Sequence, residues 1–235
     1  MFEQEETAAV RKYLEGHVIK ILLLGQHGTG TDSILMRLIW DYPEIPTVFD
    51  PTTEEPVYNK QLRFGRIPVL LEGQTCEYSG NTAMPMGMGR EFEAHMYVFS
   101  VGDRASFELL PKMHAELGGP RPGGIPHCLF VVANKTDIPF ESWEVSMQEA
   151  KEFSRSIGAE LLAMSAKTGK GCGKEDARIL ATRVLLSRIK GEEKNANVQS
   201  AQKPADSAIK SRGGALEKIT QLFKSFRKSG DRESS

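Results

Sequence analysis

Residues 21–33 read ILLLGQHGTGTDS, and the interpretation of the rest of the chain begins from them. An apolar run from Val18 to Leu24 changes abruptly into a loop that holds three glycines, and an amphipathic pattern follows at once. A strand, a glycine loop and a helix in this order can bind phosphate, because backbone N–H groups and a helix N-terminus attract anions. The alternative is an ordinary strand-to-helix turn in which glycine supplies a positive φ.

The phosphate-loop pattern is incomplete in this chain. It requires Gly, four residues, Gly, Lys and then Ser or Thr. Gly25 and Gly30 have that spacing, but Thr31 stands at the lysine position and Asp32 stands where a magnesium-binding hydroxyl is expected. An acidic residue in the first turn also stabilises a helix, which is the simpler interpretation of Asp32. The candidate phosphate-binding residues are Gly25, Gln26, His27, Gly28, Thr29, Gly30, Thr31, Asp32 and Ser33.

Composition limits the class of protein. The 235 residues are 40% hydrophobic and 26% charged with a net charge of −1, which is ordinary for one or two globular domains and gives no general case for nucleic-acid binding. Three widely separated cysteines, Cys76, Cys128 and Cys172, lack metal-ligand spacing and indicate reduced thiols, with Cys128 expected in a strand core. The acidic N-terminus is not expected to be a signal peptide, and no apolar run reaches the ~20 residues that span a bilayer. We therefore expect a cytoplasmic protein.

Buried-type strands alternate with amphipathic helices along the chain, which predicts an α/β sheet with crossover helices. A hairpin over residues 57–71 adds one antiparallel strand. We expect loops at 41–56 and 73–90, the second of them mobile. The predicted strands are 18–24, 57–64, 67–71, 95–101, 128–133 and 160–164, and the predicted helices include 106–117, 143–157 and a final domain helix through Ile189.

Two further motifs follow buried strands. Asn134-Lys135-Thr136-Asp137 comes directly after CLFVVA, and Ser165-Ala166-Lys167 comes directly after ELLAM. The carboxyl ends of strands are where open α/β sheets bind ligands. In order and placement, the glycine loop and these two motifs closely resemble the guanine-binding elements of the Ras-like small GTPases. The resemblance covers about residues 18–190.

The resemblance implies a Ras-like P-loop domain, with a mostly parallel six-stranded sheet, one antiparallel strand and helices on both faces. It implies a signalling switch that binds GTP or GDP with Mg²⁺. Asp137 would accept hydrogen bonds from the guanine N1–H and 2-amino groups, a pair that adenine does not offer. Asn134 would contact the base edge and join the loops, Lys135 would lie along the ring face, and the Ala166 N–H would donate to the guanine O6. Ser165 and Lys167 complete the candidate base site.

Two stretches resemble the switches of the family. Residues 49–55, FDPTTEE, resemble the first switch, with Thr52 as the candidate threonine for magnesium and the γ-phosphate and residues 49–58 as an effector surface. Thr52 is otherwise a polar loop residue. For the second switch the nearest match is residues 77–81, EYSGN, which makes Gly80 and Asn81 the candidate catalytic residues. Residues 72–74, EGQ, are a rival placement.

The departures from the family pattern concern the phosphates. Thr31 is neutral where the family has lysine, and a lost charge-assisted hydrogen bond of about 1.5–3 kcal/mol lowers affinity on the order of ten- to a hundredfold. Asp32 and Thr52 are the candidate magnesium ligands. His27 either supplies positive charge to phosphate or crowds it, and Asn81 is one methylene shorter than glutamine. We expect a GTP-binding protein with slow or absent hydrolysis, and the alternative is a pseudo-GTPase that serves as an interaction scaffold.

The predicted organisation is an extension over residues 1–17 with a short frayed helix, the domain over 18–190, a flexible linker over 191–214, a basic amphipathic helix over 215–228 and a tail over 229–235. Residues 210–228 contain six Lys or Arg and one Glu, beside an apolar stripe at helical spacing. Such a helix can lie on an anionic membrane or in a partner's groove, or pack back onto the domain. The C-terminus has no cysteine for prenylation. Expected partners are therefore guanine nucleotide, an effector, exchange and activating factors, and a peripheral membrane or protein contact, but no nucleic acid.

Overall fold

The computed structural model describes residues 13–41, 58–64, 67–80, 91–117 and 128–200, with the backbone alone for 190 and 192–200. Within these ranges six strands form one sheet in the order β2-β3-β1-β4-β5-β6. The strands are β1 Val18–Gly25, β2 Tyr58–Phe64, β3 Ile67–Glu77, β4 Ala94–Ser100, β5 Cys128–Asn134 and β6 Glu160–Ala163. β2 pairs antiparallel with β3, and the other neighbours are parallel. The predicted α/β class and its single antiparallel strand are confirmed.

Helices cover both faces of this sheet. They are α1 Thr31–Trp40, α2 Arg104–Glu108, α3 Leu110–Leu117, α4 Met147–Ser156 and α5 Lys174–Ser200, with a single 3₁₀ turn at Phe140–Ser142. In β1, Ile19, Ile21 and Leu23 belong to the core on the α1 and α5 face, whereas Leu22 and Leu24 belong to the core on the α3 and α4 face. A strand covered on both faces reads as a continuous apolar run, which is why VIKILLLG does not alternate.

β3 is longer than the sequence predicted. It continues to Glu77, whereas the prediction ended the strand at Leu71 and began a mobile loop at residue 73. That loop assignment is wrong for residues 73–77, because this stretch pairs with β1 up to Gly25 opposite Glu77. Gly73 packs closely against α1, since an added Cβ would lie 2.3 Å from Leu35 Cδ1 and that side chain would have to shift.

Three helix boundaries also differ from the prediction. The helix predicted over 106–117 is two helices, α2 and α3, and the helix predicted over 143–157 begins only at Met147. α5 continues to Ser200, so residues 191–200 of the predicted linker are helical. Cys128 is only partly buried on β5, and Cys172 is the fully buried thiol. The remaining linker, the 215–228 segment and the tail lie outside the described residues, as do residues 1–12.

Candidate functional site

Four loops meet at the carboxyl end of the sheet. Residues 25–33 (the phosphate loop) follow β1, and Glu77 ends β3. Residues 134–137 (the Asn-Lys-x-Asp loop) follow β5, and residues 165–167 (the Ser-Ala-Lys loop) follow β6. Parallel pairing of β1, β3, β4, β5 and β6 brings these loops to one edge, because parallel strands end on the same side.

Asn134 joins three of the loops. Its side chain is 1% exposed; Nδ2 donates to the Thr29 carbonyl at 2.8 Å, and Oδ1 accepts from the Ala166 N–H at 3.2 Å. Gly30 makes this contact possible, because its φ is 90° and an added Cβ would lie 2.5 Å from Asn134 Nδ2. The Ala166 N–H, predicted to donate to guanine O6, donates to Asn134 in this structure.

Asp137 is oriented by the Ser-Ala-Lys loop. Ser165 Oγ donates to Asp137 Oδ1 at 2.6 Å and accepts from the Thr168 N–H at 3.1 Å. Ser165 is fully buried, whereas Asp137 is exposed. A bound base would bury the Asp137 carboxylate, and a buried carboxylate left unpaired by adenine would make the site discriminate between the two bases. Lys135, also exposed, has a φ of 62°, which turns the chain sharply between Asn134 and Asp137.

The backbone of the phosphate loop has the geometry of an anion site, but Thr31 stands where the pattern has lysine. Gly28 and Gly30 have φ values of 79° and 90°, and Thr29, fully buried, donates through Oγ1 to the Gln26 carbonyl at 2.7 Å. α1 begins at Thr31 with Gly30 as its N-cap, and in the described part of the chain no side chain caps this end. N–H groups of the first turn are therefore available to a ligand. Ser33 lies in that first turn, partly buried.

Carboxylates and a histidine, rather than lysine, surround the phosphate loop. Asp32 Oδ1 accepts from Thr75 Oγ1 at 2.5 Å, and His27 Nδ1 lies 3.1 Å from Glu77 Oε2. Both members of the His27–Glu77 pair are exposed, at 86% and 60%. Residues 25–33 contain no Lys or Arg. Within the ranges that the structure covers, no group of three His, Cys, Asp or Glu residues is placed to hold a metal ion.

Comparison with known proteins identifies the family. A sequence model of the Ras family matches residues 20–182, more than half of the 235 residues. The chain belongs to the Ras family. It is 28% identical over 156 residues to Ras-like protein rasC of Dictyostelium discoideum, with 64% of this chain and 78% of the relative covered. It is also 28% identical over 149 residues to Ras-like protein 2 of Drosophila melanogaster, with 63% and 75% covered.

The two stretches that resemble the second switch, residues 72–74 and 77–81, lie at different places in the fold. Residues 72–74 lie within β3, where Glu72 and Gly73 pair with β2 on one side and with β1 on the other. Glu77 instead ends β3 opposite Gly25, and the Tyr78 N–H donates to the Gly25 carbonyl at 2.9 Å. The 77–81 stretch therefore begins beside the phosphate loop, with Gly80 at the end of a described range. Asn81, Thr52 and the predicted first switch lie outside the described residues.

Tyr78 lies in the 77–81 stretch, and its contacts were not predicted from the sequence. It is 1% exposed, its hydroxyl donates to Glu116 Oε1 of α3 at 2.8 Å, and Lys112 of α3 donates to the Gly80 carbonyl. Burial and the Glu116 carboxylate raise the pKa of Tyr78 to about 12. These contacts attach residues 78–80 to α3. An aromatic residue directly after a strand end was the available signal.

Arg37 is the second residue that was missed. It is 7% exposed on α1, and it donates from Nε to the Ala166 carbonyl at 2.8 Å and from Nη2 to the Lys167 carbonyl at 2.9 Å. The sequence places Arg37 on the apolar face of the helix, because Arg37 is three residues from Ile34, but it does not show which groups accept from the guanidinium.

Among the described residues of this Ras-family chain, no helix combines the length and apolar character needed to cross a membrane.

Proposed function

We propose that this chain is a guanine-nucleotide-binding switch of the Ras family that hydrolyses GTP slowly or not at all. The supporting observation is a contrast within one site. Asn134 and Asp137 on the base side are held by hydrogen bonds of 2.6–3.2 Å. On the phosphate side, Thr31 and Asp32 replace the cation and the neutral hydroxyl of the pattern, and His27 of the loop lies against the Glu77 carboxylate.

Base selection rests on Asp137. A carboxylate already fixed at one oxygen by Ser165 is preorganised to accept from the guanine N1–H and 2-amino groups. With adenine bound, the Asp137 carboxylate would lack these two donors. Sites built around such hydrogen bonds discriminate strongly between substrates. Lys135, exposed beside the pocket, supplies an aliphatic stem for the ring face.

Phosphate binding is weaker than the family pattern provides. Thr31 is 9% exposed and neutral, so the loop contributes backbone N–H groups but no side-chain cation. A missing charge-assisted hydrogen bond of about 1.5–3 kcal/mol corresponds to an affinity on the order of ten- to a hundredfold lower. The Asp32 and Glu77 carboxylates add repulsion unless a cation lies between them and phosphate.

The donor set around the phosphate loop fits Mg²⁺. Magnesium is commonly held by one or two carboxylates together with substrate phosphates, and Asp32 offers an oxygen ligand of this kind. Thr52 is the proposed second protein ligand. When bound, magnesium would neutralise charge on the phosphate oxygens. Thr75 fixes one Asp32 oxygen by a hydrogen bond, which limits the rotation of that carboxylate.

Slow hydrolysis follows from the groups that would position the attacking water. In the reaction, water attacks the γ-phosphorus while the bond from that phosphorus to the β–γ bridging oxygen breaks, and catalysis depends on positioning and charge neutralisation. Asn81, the proposed water-positioning residue, is one methylene shorter than Gln. His27 adds an imidazole, 86% exposed, to a loop where the Ras pattern has a very small side chain.

One observation favours a second candidate, a pseudo-GTPase scaffold. The His27–Glu77 contact connects the phosphate loop to the end of β3 in a chain whose phosphate loop lacks a cationic side chain. A domain of this kind would retain the fold for protein contacts and bind nucleotide weakly or not at all.

Equilibrium titration with a fluorescent GDP analogue, with and without Mg²⁺, distinguishes the two candidates. The switch requires saturable binding that excess GDP displaces and excess ADP does not, and that Asp137→Ala reduces at least about tenfold. Glu152→Ala, which removes an exposed carboxylate from α4, is the matched control and should bind as the wild type does. No saturable binding by the wild type at the highest usable concentration would favour the scaffold.

We further propose that residues 49–58 contact an effector and that residues 215–228 contact an anionic membrane or a protein partner. The basis for the second contact is the excess of Lys and Arg beside an apolar stripe in residues 210–228. Co-sedimentation of the full chain with anionic vesicles at low salt tests the membrane contact. Binding that the Lys224→Glu, Arg227→Glu, Lys228→Glu variant loses supports it, and no binding by the wild type contradicts it.

A further inference from the structure

A buried guanidinium connects the helix of the phosphate loop to the Ser-Ala-Lys loop. Arg37 lies in the last turn of α1, where its charge also interacts favourably with the helix C-terminus. Burying a charge is costly unless hydrogen bonds compensate for lost water. Arg37 is 7% exposed, and its fork donates to the carbonyls of two consecutive residues, Ala166 and Lys167.

These two hydrogen bonds determine the orientation of peptide planes in the Ser-Ala-Lys loop. The Lys167 carbonyl that accepts from Arg37 belongs to the same peptide plane as the Thr168 N–H. That N–H donates to Ser165 Oγ at 3.1 Å, and Ser165 Oγ donates to Asp137 Oδ1 at 2.6 Å. Fixing the plane at one end therefore fixes the donor that holds Ser165, and Ser165 in turn holds the Asp137 carboxylate.

We propose that Arg37 is a positioning residue for guanine recognition, which acts through the Ser-Ala-Lys loop and the Asp137 carboxylate. This inference rests on the proposed function, because it names a determinant of specificity for the proposed site. Arg37 itself is not required to touch the nucleotide. Its planar fork suits two adjacent carbonyls, which a lysine ammonium cannot satisfy with the same fixed geometry.

The same contact couples the two halves of the site. Thr31 and Asp32 begin α1 and Arg37 lies in its last turn, so one rigid helix spans from the phosphate side to the loop that orients the base. Gly169 supplies the positive φ of 82° that the loop adopts beside the guanidinium, and an added Cβ would lie at an ordinary van der Waals distance of 3.7 Å from Arg37 Nη1.

The test compares GDP with IDP, which lacks the 2-amino group that Asp137 would read. If Arg37 positions Asp137, Arg37→Gln weakens the binding of GDP more than the binding of IDP. The ratio of the two affinities, which measures the preference for GDP, then falls at least about threefold. Arg37→Lys, which keeps the charge but not the fork, gives an intermediate preference. Arg178→Gln removes a surface guanidinium that pairs with Glu175 and should leave the preference unchanged. An equal loss for both nucleotides in Arg37→Gln would overturn the proposal.

Amide exchange without nucleotide provides a second measurement that does not depend on nucleotide binding. Arg37→Gln should accelerate exchange of the Thr168 N–H at least about tenfold, while amides within β4 retain wild-type exchange and report an intact fold. If Arg37→Gln does not fold, Arg37→Lys is measured instead. Unchanged Thr168 exchange in the folded variant overturns the positioning role, even if the wild type binds nucleotide. Absence of GDP binding by the wild type contradicts the proposed function, and the exchange result still decides whether Arg37 holds the loop.

Discussion

At the scale of single residues, Thr31 and Asp32 separate this chain from the phosphate-loop pattern of its family. Both begin α1 within a loop where Gly28 and Gly30 have positive φ values, so the backbone turns are present while the side-chain chemistry differs. The base-side residues Asn134 and Asp137 are joined to neighbouring loops by hydrogen bonds. We therefore attribute weaker phosphate binding to the side chains of Thr31 and Asp32.

Restoring those side chains should restore phosphate binding. In the Thr31→Lys, Asp32→Ser double variant, a cation and a neutral hydroxyl return to the start of α1. Recovery of a charge-assisted hydrogen bond should raise GDP affinity on the order of tenfold or more. Competition titration with the fluorescent GDP analogue measures the change. Affinity that stays at the wild-type value would show that the lysine position does not limit binding.

The thiol of Cys172 should be unreactive in the folded protein. Cys172 is fully buried, and desolvation raises its pKa to about 12, so the nucleophilic thiolate is scarce near neutral pH. Iodoacetamide followed by peptide mass spectrometry should label Cys172 only after unfolding. The partly exposed Cys76 serves as the internal comparison, and labelling of Cys172 in native protein at the rate of Cys76 would contradict the burial described here.

At the scale of elements, hydrophobic pattern located the strands but did not fix every boundary. β3 was predicted too short because residues 72–76, EGQTC, lack the apolar alternation of a half-buried strand. Pairing with β1 and β2 holds Glu72 and Gly73 in the sheet despite their weak strand propensity. Arg37 was missed for a related reason, since the acceptors of its guanidinium are supplied by a loop about 130 residues later, a contact that local pattern does not reveal.

The residues that set the start of α4 can be recognised in the sequence. The structure begins this helix at Met147 because Ser146 and Glu149 form a capping box, with each side chain bonded to the other residue's N–H. Ser146→Ala should therefore destabilise the protein by about 1 kcal/mol. Urea denaturation measures the loss, and Ser156→Ala near the other end of α4 is the comparison variant. Equal stability of Ser146→Ala and the wild type would contradict the cap.

The contact between Tyr78 and α3 should be sensitive to alkaline pH. Tyr78 donates to Glu116, and its pKa is raised to about 12 from the unfolded value near 10. Its contribution is therefore complete below about pH 10 and is lost as pH rises toward about 12, because the unfolded tyrosine ionises first. Tyr78→Phe should cost about 1–3 kcal/mol at neutral pH.

Chemical denaturation of the wild type and Tyr78→Phe at a series of pH values measures this difference. The stability gap between them should be constant at neutral pH and should narrow through the alkaline window. Tyr97→Phe, which alters another buried tyrosine, controls for general loss of a hydroxyl. A gap that is absent at neutral pH would contradict the Tyr78–Glu116 contact.

At the scale of the whole molecule, membership in the Ras family and the six-stranded sheet agree with what the motifs predicted. The positions of Gly25, Asn134 and Ser165 after strands were sufficient, although β6 is a partly exposed edge strand, because the carboxyl ends of parallel strands lie at one edge of the sheet. Contacts between side chains of distant loops, such as His27 with Glu77, could not be predicted in the same way. They depend on the register of β1 and β3, which the sequence pattern left open.

The central claim is that the base pocket is retained while the chemistry at the phosphates is altered. Single-turnover analysis of GTP-loaded protein tests both parts together, because chromatography of the released nucleotide shows which base is bound and whether GTP has become GDP. We predict that the wild type retains GTP while a variant that combines His27→Gly, Thr31→Lys, Asp32→Ser and Asn81→Gln converts it faster. Conversion by the wild type at the rate of that variant, or recovery of no guanine nucleotide from the wild type, would contradict the account.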